Sequence, residues 1–337
     1  MANKGTLLVT GGAGYIGSHT VRHLLELGEK IVVLDSLVFG HREALPLDRI
    51  SFVEGDMSDA ALMDSLFVEH QPEAVLHFAA SAYVGESVSD PAKYYDNNVG
   101  GMIALLAAGR AADVARIVFS SSCATYGVPD VLPITETTPQ RPINPYGRTK
   151  LICEDMLRDH AAAYGLRFAA LRYFNAAGAD PDGQIGERHD PETHVIPLAL
   201  RAAAGTGPAL GIFGTNYDTP DGTCIRDYIH VTDLARAHVL ALRHLMAGGD
   251  SVAVNLGSGV GISVQDIVAA IARVTGRAVP LRHAPRRIGD PPMLTADPAL
   301  ALRLFGFRTE RSDIDTIIRD AAPHFGCGSE AAHAIAV

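Results

Sequence analysis

Tyr146 and Lys150 lie four residues apart in the segment PYGRTK, directly behind Pro145. Proline suits the first turn of a helix, and a spacing of four places both side chains on one helix face. A phenol with a pKa of about 10 is a poor base at neutral pH, but a nearby ammonium stabilises the phenolate and lowers that pKa. The pair therefore predicts an acid–base device. A tyrosine packed beside a solvated lysine is the alternative for the pair alone.

Three hydroxyls close the predicted strand before this helix. The segment RIVFSSSCATYG ends its apolar run in Ser120, Ser121 and Ser122. The carboxyl ends of strands in a doubly wound sheet border the ligand crevice, where a serine can orient or relay a proton. Serines are also common in turns and caps. One of these serines is nevertheless a candidate partner for the predicted base.

The segment GGAGYIG (11–17) follows the first predicted strand and opens the first predicted helix. Gly12, Gly14 and Gly17 fit G-x-G-x-x-G, and Gly11 begins a second glycine spacing. Such a turn brings backbone close to a pyrophosphate, which the helix N-terminus attracts. Asp35 ends the next predicted strand, where a carboxylate binds ribose hydroxyls and repels a 2′-phosphate, so NAD is favoured over NADP. The alternatives are a glycine turn without a ligand and, for Asp35, a helix N-cap.

Short apolar runs alternate with helical patterns through the first half of the chain. Strands are predicted at 6–10, 30–35, 50–56, 73–80, 116–122 and 167–174, and helices at 16–29, 57–70 and 146–165. Nearly continuous apolar runs are typical of strands buried on both faces. The order predicts an α/β fold with a Rossmann-like, doubly wound parallel sheet.

The pattern changes after about residue 175, where Gly- and Pro-rich loops begin. We therefore expect an NAD-binding domain over 1–175 and a smaller C-terminal α/β substrate lobe over 176–325. The segment 228–246 is expected to pack back on the first domain. The tail, 326–337, is expected to fray.

Lys and Arg total 28 against 38 Asp and Glu, a net charge of −10, which argues against nucleic acid or anionic lipid as a partner. Four scattered cysteines fit a reducing cytosol, and no apolar run reaches membrane-spanning length, so we expect a cytoplasmic protein. The histidines show no H-E-x-x-H pattern. The group His189, Asp190, Glu192 and His194 is interpreted as a polar loop, and no metal is expected.

Several longer segments carry a resemblance that covers residues 6 to 320. The glycine loop, Ser-x-x-x-Tyr-Gly and Tyr-x-x-x-Lys, in this order, resemble the extended short-chain dehydrogenase/reductase superfamily. Within it, the chain resembles the UDP-glucose 4-epimerase family through HFAASAYVGESV, YYDNNV, LRYFNAAGA, GTNYDTPDGTCIRDYIHVTDLA and APRRIGDPP. The last two segments are the most specific to that family.

The resemblance implies a reaction that interconverts UDP-galactose and UDP-glucose with a tightly bound NAD. Hydride leaves C4 of the sugar, the 4-keto intermediate turns over, and hydride returns to the other face. Tyr146 would accept the 4-hydroxyl proton, with Ser122 as its hydrogen-bonding partner. Lys150 would bind the nicotinamide ribose and lower the pKa of the tyrosine. The resemblance also implies a homodimer that pairs through helices.

The same resemblance implies the other site residues. The cofactor would contact Gly11, Gly14, Tyr15, Ile16, Gly17, Asp35, Asp56, Met57, Phe78, Ala79, Ala80, Asn98, Lys150 and Tyr173. The UDP-sugar would contact Ser122, Tyr146, Asn175, His194, Phe213, Arg226, Tyr228, Arg287, Asp290 and Leu294. The arginine guanidinium groups would bind the diphosphate bidentately, because a chain of net charge −10 must bind an anion through local positive charges.

Four positions depart from the family pattern or narrow it. Ala82 stands where many members have a lysine that contacts the cofactor, so that contact is lost or replaced. His194 stands where an asparagine often contacts the substrate. Leu294 stands where a tyrosine or a small residue gates the sugar 2-substituent, and its bulk predicts discrimination against N-acetylated sugars. The segment SSSCATYG, with Cys123, resembles the same segment of pentose-acting 4-epimerases, which leaves UDP-xylose and UDP-arabinose as alternative substrates.

Three other functions share parts of this pattern. A nucleotide-sugar 4,6-dehydratase places an Asp-Glu pair where this chain has Cys123 and Ala124. An ordinary ketoreductase would release its cofactor. A non-catalytic NAD-binding regulator of the same fold is the third. Such a protein has no need for Tyr146, Lys150 and loops suited to UDP to occur together.

Overall fold

The structure is a computed structural model, which describes residues 5–287 and 290–328. The strands are β1 Thr6–Thr10, β2 Lys30–Asp35, β3 Ser51–Glu54, β4 Pro72–His77, β5 Arg116–Ser122, β6 Arg167–Tyr173, β7 Asn175–Ala177, β8 Leu210–Phe213, β9 Ile225–His230, β10 Val252–Leu256, β11 Gly261–Ser263, β12 Leu281–Ala284 and β13 Met293–Leu294. The helices are α1 Tyr15–Glu26, α2 Ala60–His70, α3 Val84–Ser89, α4 Pro91–Tyr94, α5 Gly101–Ala111, α6 Pro145–Tyr164, α7 Val195–Ala204, α8 Val231–Met246, α9 Val264–Thr275, α10 Ala299–Phe305 and α11 Ile314–Ala321.

Seven parallel strands form the large sheet, in the order β10-β6-β5-β4-β1-β2-β3. One apolar core joins its first face to α1, α8 and α10, and a second joins the other face to α2, α5 and α6. All of β1 is buried, because helices cover both faces of the sheet. The predicted doubly wound α/β fold is confirmed.

Short polar caps set where the helices of this domain begin. Asp59 accepts hydrogen bonds from the backbone N–H of Ala61 and Leu62, so α2 begins after the predicted residue 57. Asn144 accepts one from Gly147 N, and Pro145 takes the first position of α6. The start of α6 fixes Tyr146 in the first turn of the helix.

The smaller lobe contains a mixed sheet. Strands β11, β9 and β13 are neighbours, β7 also pairs with β9, and β8 pairs with β12. An apolar core that includes residues of α7, α9 and α11 supports it. Strand β9 therefore connects most of the segments from which a substrate site could be assembled.

Parts of the segment 176–325 pack on the large sheet, among them α8, which lies in the segment 228–246 expected to do so. Helix α8 lies against α1, strand β10 extends the large sheet beside β6, and α10 joins the same apolar core. Strand β10 was missed because its single run, VAVNL, comes after the rhythm of the first half has ended. The chain thus returns to the first domain twice after residue 175.

The expected frayed end from residue 326 is wrong for Cys327. This side chain is buried, and its Sγ donates to Leu200 O at 3.3 Å. Residues 329–337, the rest of that expectation, lie outside the described residues.

A buried polar network holds α6 to the sheet. The Glu154 carboxylate accepts from Arg172 Nε at 2.9 Å, Arg172 Nη2 at 2.6 Å and Ser121 Oγ at 2.6 Å. Arg172 also donates to the Tyr126 hydroxyl, which donates to Asn255 Oδ1 of β10. The network therefore joins the helix that carries Tyr146 and Lys150 to β5, β6 and β10.

Candidate active site

The three predicted catalytic residues converge at the carboxyl end of β5. Ser122 ends the strand, while Tyr146 and Lys150 come from the first turns of α6, and all three are buried. Lys150 Nζ donates to Ser120 O at 2.7 Å and lies 5.9 Å from the centroid of the Tyr146 ring. The helix spacing thus places phenol and ammonium side by side, as predicted.

The electrostatics of this group differ from the prediction. Burial raises the pKa of the Tyr146 phenol well above its usual value, the Tyr173 phenol raises it further, and a hydrogen bond with Ser122 opposes both. Burial also lowers the pKa of Lys150 to about 8. The expected lowering of the tyrosine pKa by Lys150 is therefore not found in the chain alone, because removal of the phenol from water dominates.

Ser122 caps the turn that follows its strand, and its role as the partner of Tyr146 stays a prediction. Its Oγ accepts from Ala124 N at 3.1 Å and so caps a short helical turn, Cys123–Thr125. The same side chain acts on the Tyr146 phenol. Capping fixes the serine in place, and so helps to orient the tyrosine.

Tyr173 lies opposite Ser122 in the β5–β6 register, and its hydroxyl accepts from Ser120 Oγ at 3.0 Å. Burial raises the pKa of Tyr173. Ser120 therefore links the two groups, since its carbonyl oxygen accepts from Lys150 and its hydroxyl donates to Tyr173.

The glycine loop between β1 and α1 has little room for side chains. Gly11 has φ +72°, and a Cβ there would lie 2.4 Å from Ala79 N. A Cβ on Gly17 would lie 2.2 Å from Gly11 O. Gly14 precedes α1 with no side chain capping the helix. Positions 11 and 17 therefore accept only glycine without a shift of the backbone. No side chain covers the start of α1, as a diphosphate site requires.

A cleft of about 260 Å³ opens beside this loop. Of the predicted cofactor residues, it is lined by Gly11, Gly14, Asp35, Asp56, Met57, Phe78, Ala79 and Ala80. Asp35 accepts from Ala13 N and Leu37 N, both at 2.9 Å, so its carboxylate is fixed at the cleft rather than capping a helix. Burial raises the pKa of Asp35.

Tyr15, Ile16 and Gly17 form the first turn of α1 behind the loop. The Tyr15 hydroxyl donates to Gly178 O at 2.6 Å, which ties this turn to the chain after β7. Burial raises the pKa of Tyr15.

Asn98, one of the predicted cofactor residues, does not line the cleft. Asn98 is buried and its amide is fully used by the protein: Ser81 N donates to its Oδ1, while its Nδ2 donates to Ser81 O and Thr149 Oγ1. Asn97, its neighbour, lines the cleft. The backbone is π-helical over Tyr95–Gly100, which changes the direction of successive side chains relative to an α-helix.

Lys93 is a cleft residue that the sequence analysis missed. Its Nζ donates to Glu86 Oε1 at 2.7 Å and lies 5.2 Å from the centroid of the Phe39 ring. Among the cleft-lining residues that the structure describes, it is the only lysine or arginine, and Ala82 does not line the cleft. The sequence signal that could have found Lys93 is its position four residues, about one helical turn, before Asn97, which also lines the cleft.

The predicted nucleotide residues pair with one another in the smaller lobe. Arg226 of β9 forms an ion pair with Asp290 and donates to Ile225 O at 2.7 Å. The Arg287 guanidinium lies 4.0 Å from the centroid of the Phe213 ring. Leu294 of β13 is the register partner of Arg226. These side chains together supply two cations and an aromatic face.

Asn175, His194 and Tyr228 line a second, small pocket. Asn175 pairs with Tyr228 across β7 and β9, and its Nδ2 donates to Asp227 O at 2.8 Å. The Nδ1 of His194 contacts Glu187 closely, so Nε2 is the ring nitrogen left for a ligand.

The described residues include no helix with the length and apolar character needed to cross a membrane.

The model of the NAD dependent epimerase/dehydratase family matches residues 7–257. The chain belongs to this family.

Individual relatives of this epimerase/dehydratase are similar over nearly their whole length. A UDP-glucose 4-epimerase of Lacticaseibacillus casei is 51% identical over 94% of the chain and 95% of its own. A crystal structure of UDP-glucose 4-epimerase from Brucella ovis in complex with NAD is 61% identical, with a TM-score of 0.93 over 96% of the chain and 98% of its own. The Stenotrophomonas maltophila UDP-glucose 4-epimerase, with bound NAD and formylated UDP-arabinopyranose, is 42% identical, with a TM-score of 0.92 over 98% and 99%.

Proposed function

We propose that this epimerase/dehydratase interconverts UDP-galactose and UDP-glucose with NAD as its cofactor. The observation that carries the proposal is the convergence of Ser122, Tyr146 and Lys150 at the sheet edge where the strands beside the glycine-rich cleft also end. Arg226 of the smaller lobe is close enough to Cys123, the residue after Ser122, to act on it electrostatically. A proton acceptor placed between a dinucleotide site and a nucleotide-sugar site is the arrangement that oxidation and re-reduction of one sugar carbon requires.

The cleft residues fit NAD. The crowded glycines leave backbone, rather than side chains, beside the diphosphate position, and Asp35 presents a fixed carboxylate to ribose hydroxyls. Lys93 supplies a cation in a cleft that also holds Asp35 and Asp56. We assign Lys93 to the diphosphate side, in place of the lysine that Ala82 replaces. NAD would accept a hydride from the sugar and return it.

Tyr146 is the base that takes the 4-hydroxyl proton and later returns it. Burial raises the pKa of the phenol, and a nearby positive charge opposes this effect by favouring the phenolate. Two charges are available: the Lys150 ammonium 5.9 Å from the ring centroid and the oxidised nicotinamide ring. Ser122 orients the phenol and shares the proton.

The nucleotide is held by the side chains of the smaller lobe. Arg226 and Arg287 answer the diphosphate, and Phe213 offers a face for the uracil. In the chain alone these arginines are occupied by Asp290 and the Phe213 ring, so substrate binding exchanges one set of partners for another. His194 and Tyr228 complete the sugar side.

The test is turnover without an added cofactor. Purified protein is incubated with UDP-galactose alone, and UDP-glucose is measured by chromatography. Product formation supports a 4-epimerase that carries its own NAD. If product appears only after NAD is added, the reaction stands but tight retention does not. If UDP-xylose is converted and UDP-galactose is not, the substrate assignment is wrong.

We also propose that the protein acts in the cytoplasm as a homodimer. The four cysteines are all free, which suits a reducing compartment. Ile103 of α5 and Tyr164 of α6 are large, exposed and apolar, and they lie on two neighbouring helices suited to pairing with a second copy. Light scattering on purified protein tests the dimer, and a monomeric mass would contradict it.

A further inference from the structure

Four side chains converge in the loop between β7 and α7, although the sequence pattern suggested only a polar loop. Glu187, His189, Glu192 and His194 each offer one nitrogen or oxygen atom, and these atoms all lie within 4.8 Å of one another. We call these four residues the His–Glu cluster. Two imidazoles and two carboxylates form a donor set that suits a divalent transition metal.

The spacing of the donor atoms fits one central ion. His189 Nδ1 lies 3.1 Å from Glu187 Oε1 and 3.9 Å from Glu192 Oε2, and His194 Nδ1 lies 3.7 Å from Glu192 Oε1. Ligands about 2.0–2.1 Å from a tetrahedral ion are roughly 3.3 Å apart. Small adjustments of these side chains would place all four around one ion.

One oxygen of the cluster, Glu192 Oε2, has no hydrogen-bond partner in the described residues. Glu192 Oε1 accepts from Thr193 N and His194 N, which fixes the carboxylate, whereas Oε2 is buried without a hydrogen bond. The Glu192 side chain is only 1% exposed and that of Glu187 only 3%. A buried carboxylate oxygen without a partner is costly, and a bound cation would remove that cost.

We propose that the His–Glu cluster binds one Zn²⁺ ion through His189 Nδ1, His194 Nδ1, Glu192 Oε2 and a Glu187 carboxylate oxygen. The two carboxylates neutralise the ion, and four protein ligands leave no open position, as in structural zinc sites. No redox step or metal-bound water is involved.

The position of the cluster gives the ion a structural task. The His189 ring packs edge-on against Tyr15 of α1 and against Tyr83, at centroid distances of 6.2 and 5.9 Å. His194 precedes α7 and lines the pocket that also contains Asn175. Zinc would therefore fasten the start of the cofactor helix to the substrate side of the lobe.

The test measures zinc directly, on the full chain without a polyhistidine tag. After removal of metal with a chelator, ZnCl₂ is titrated calorimetrically into the wild type and into His189→Gln and Glu192→Gln. The matched control is His41→Gln, because His41 Nε2 contacts Arg188 O of the same loop but lies outside the cluster. Thermal unfolding with and without ZnCl₂ is the second readout.

Wild type and His41→Gln should each bind close to one zinc per chain and unfold at a higher temperature with ZnCl₂. Loss of a second-shell partner alone weakens metal binding about 10–100-fold, so loss of a ligand should weaken it at least about a hundredfold. Equal zinc affinity in wild type and both cluster variants, or no stoichiometric binding to wild type, would overturn the proposal and leave a hydrogen-bonded cluster. Neither readout depends on epimerase turnover, so failure here is separable from failure of the proposed function.

Discussion

The cofactor cleft and the substrate face are built in different ways. The cleft is formed within the first hundred residues, mostly by backbone and small side chains at the ends of neighbouring parallel strands. The substrate face takes Asn175, Phe213, Arg226 and Arg287 from four separate segments, and each of these side chains contacts another part of the lobe. Backbone crowding constrains a short sequence strongly, whereas side chains brought together by strand pairing leave little local trace. The two regions should therefore respond differently to substitution.

The largest effect is expected where the two regions meet. Tyr146→Phe removes the proton acceptor but keeps the ring, so kcat should fall by about 10²–10⁴-fold while NAD and UDP binding persist. The matched control is Tyr164→Phe at the exposed end of the same helix, which should leave kcat unchanged. Turnover close to wild type in Tyr146→Phe would exclude the tyrosine as the base.

On the cofactor side, Gly17→Ala should damage the fold of the loop. Its Cβ would lie 2.2 Å from Gly11 O, a backbone atom that cannot move without shifting the glycine turn. We expect a loss of about 2–4 kcal/mol in the free energy of unfolding, together with loss of bound NAD. Gly85→Ala is the control, because a Cβ there meets nothing within 4 Å. Urea titration followed by circular dichroism measures the stability of both variants. Equal urea midpoints for Gly17→Ala and Gly85→Ala would refute the crowding argument.

On the substrate side, Arg226→Lys should act on binding alone. The charge is kept but the guanidinium fork is lost, so KM for the UDP-sugar should rise about tenfold or more with stability and bound NAD unchanged. Arg282→Lys, on the exposed strand β12, is the control. Loss of bound NAD in Arg226→Lys would mean that the cofactor cleft and the substrate face are coupled, contrary to the expectation that they respond differently to substitution.

Lys93→Ala tests whether the cleft also depends on one side chain. Loss of the cation should weaken NAD retention about tenfold, because a charged hydrogen bond contributes about 1.5–3 kcal/mol. NAD released on denaturation and measured by absorbance decides the matter. If Lys93→Ala retains NAD like the wild type, the assignment to the diphosphate is wrong.

The smallest effect is expected at Leu294. Leu294→Ala should raise relative activity on UDP-N-acetylgalactosamine severalfold, because removal of methylene groups from a pocket changes discrimination by modest factors. Initial rates on both substrates measure the ratio. Comparable turnover of the two sugars by the wild type would show that Leu294 does not exclude the N-acetyl group.

Much of the cofactor region could be predicted because glycine crowding, a strand-end carboxylate and helix spacing are all local. Asn97, which lines the cleft, was not named, because the π-helical segment around it is not visible in a hydrophobic pattern. Lys93 was missed because the family pattern drew attention to Ala82 instead. The pKa of Tyr146 depends on burial by the whole fold, which no motif records.

The buried network around Glu154 has a consequence for how such a chain can change over generations. Glu154 and Arg172 lie on α6 and β6. Loss of Glu154 would leave Arg172 as an uncompensated buried charge, at a cost of about 3–5 kcal/mol, whereas loss of Arg172 would leave Glu154 with Arg158 as its remaining cation. Since whole domains are stable by only about 5–15 kcal/mol, a lineage that loses one partner is close to unfolding before the second can change. The pair is thus expected to be inherited as a unit, and drift should accumulate around it while the helix that carries the catalytic tyrosine keeps its place.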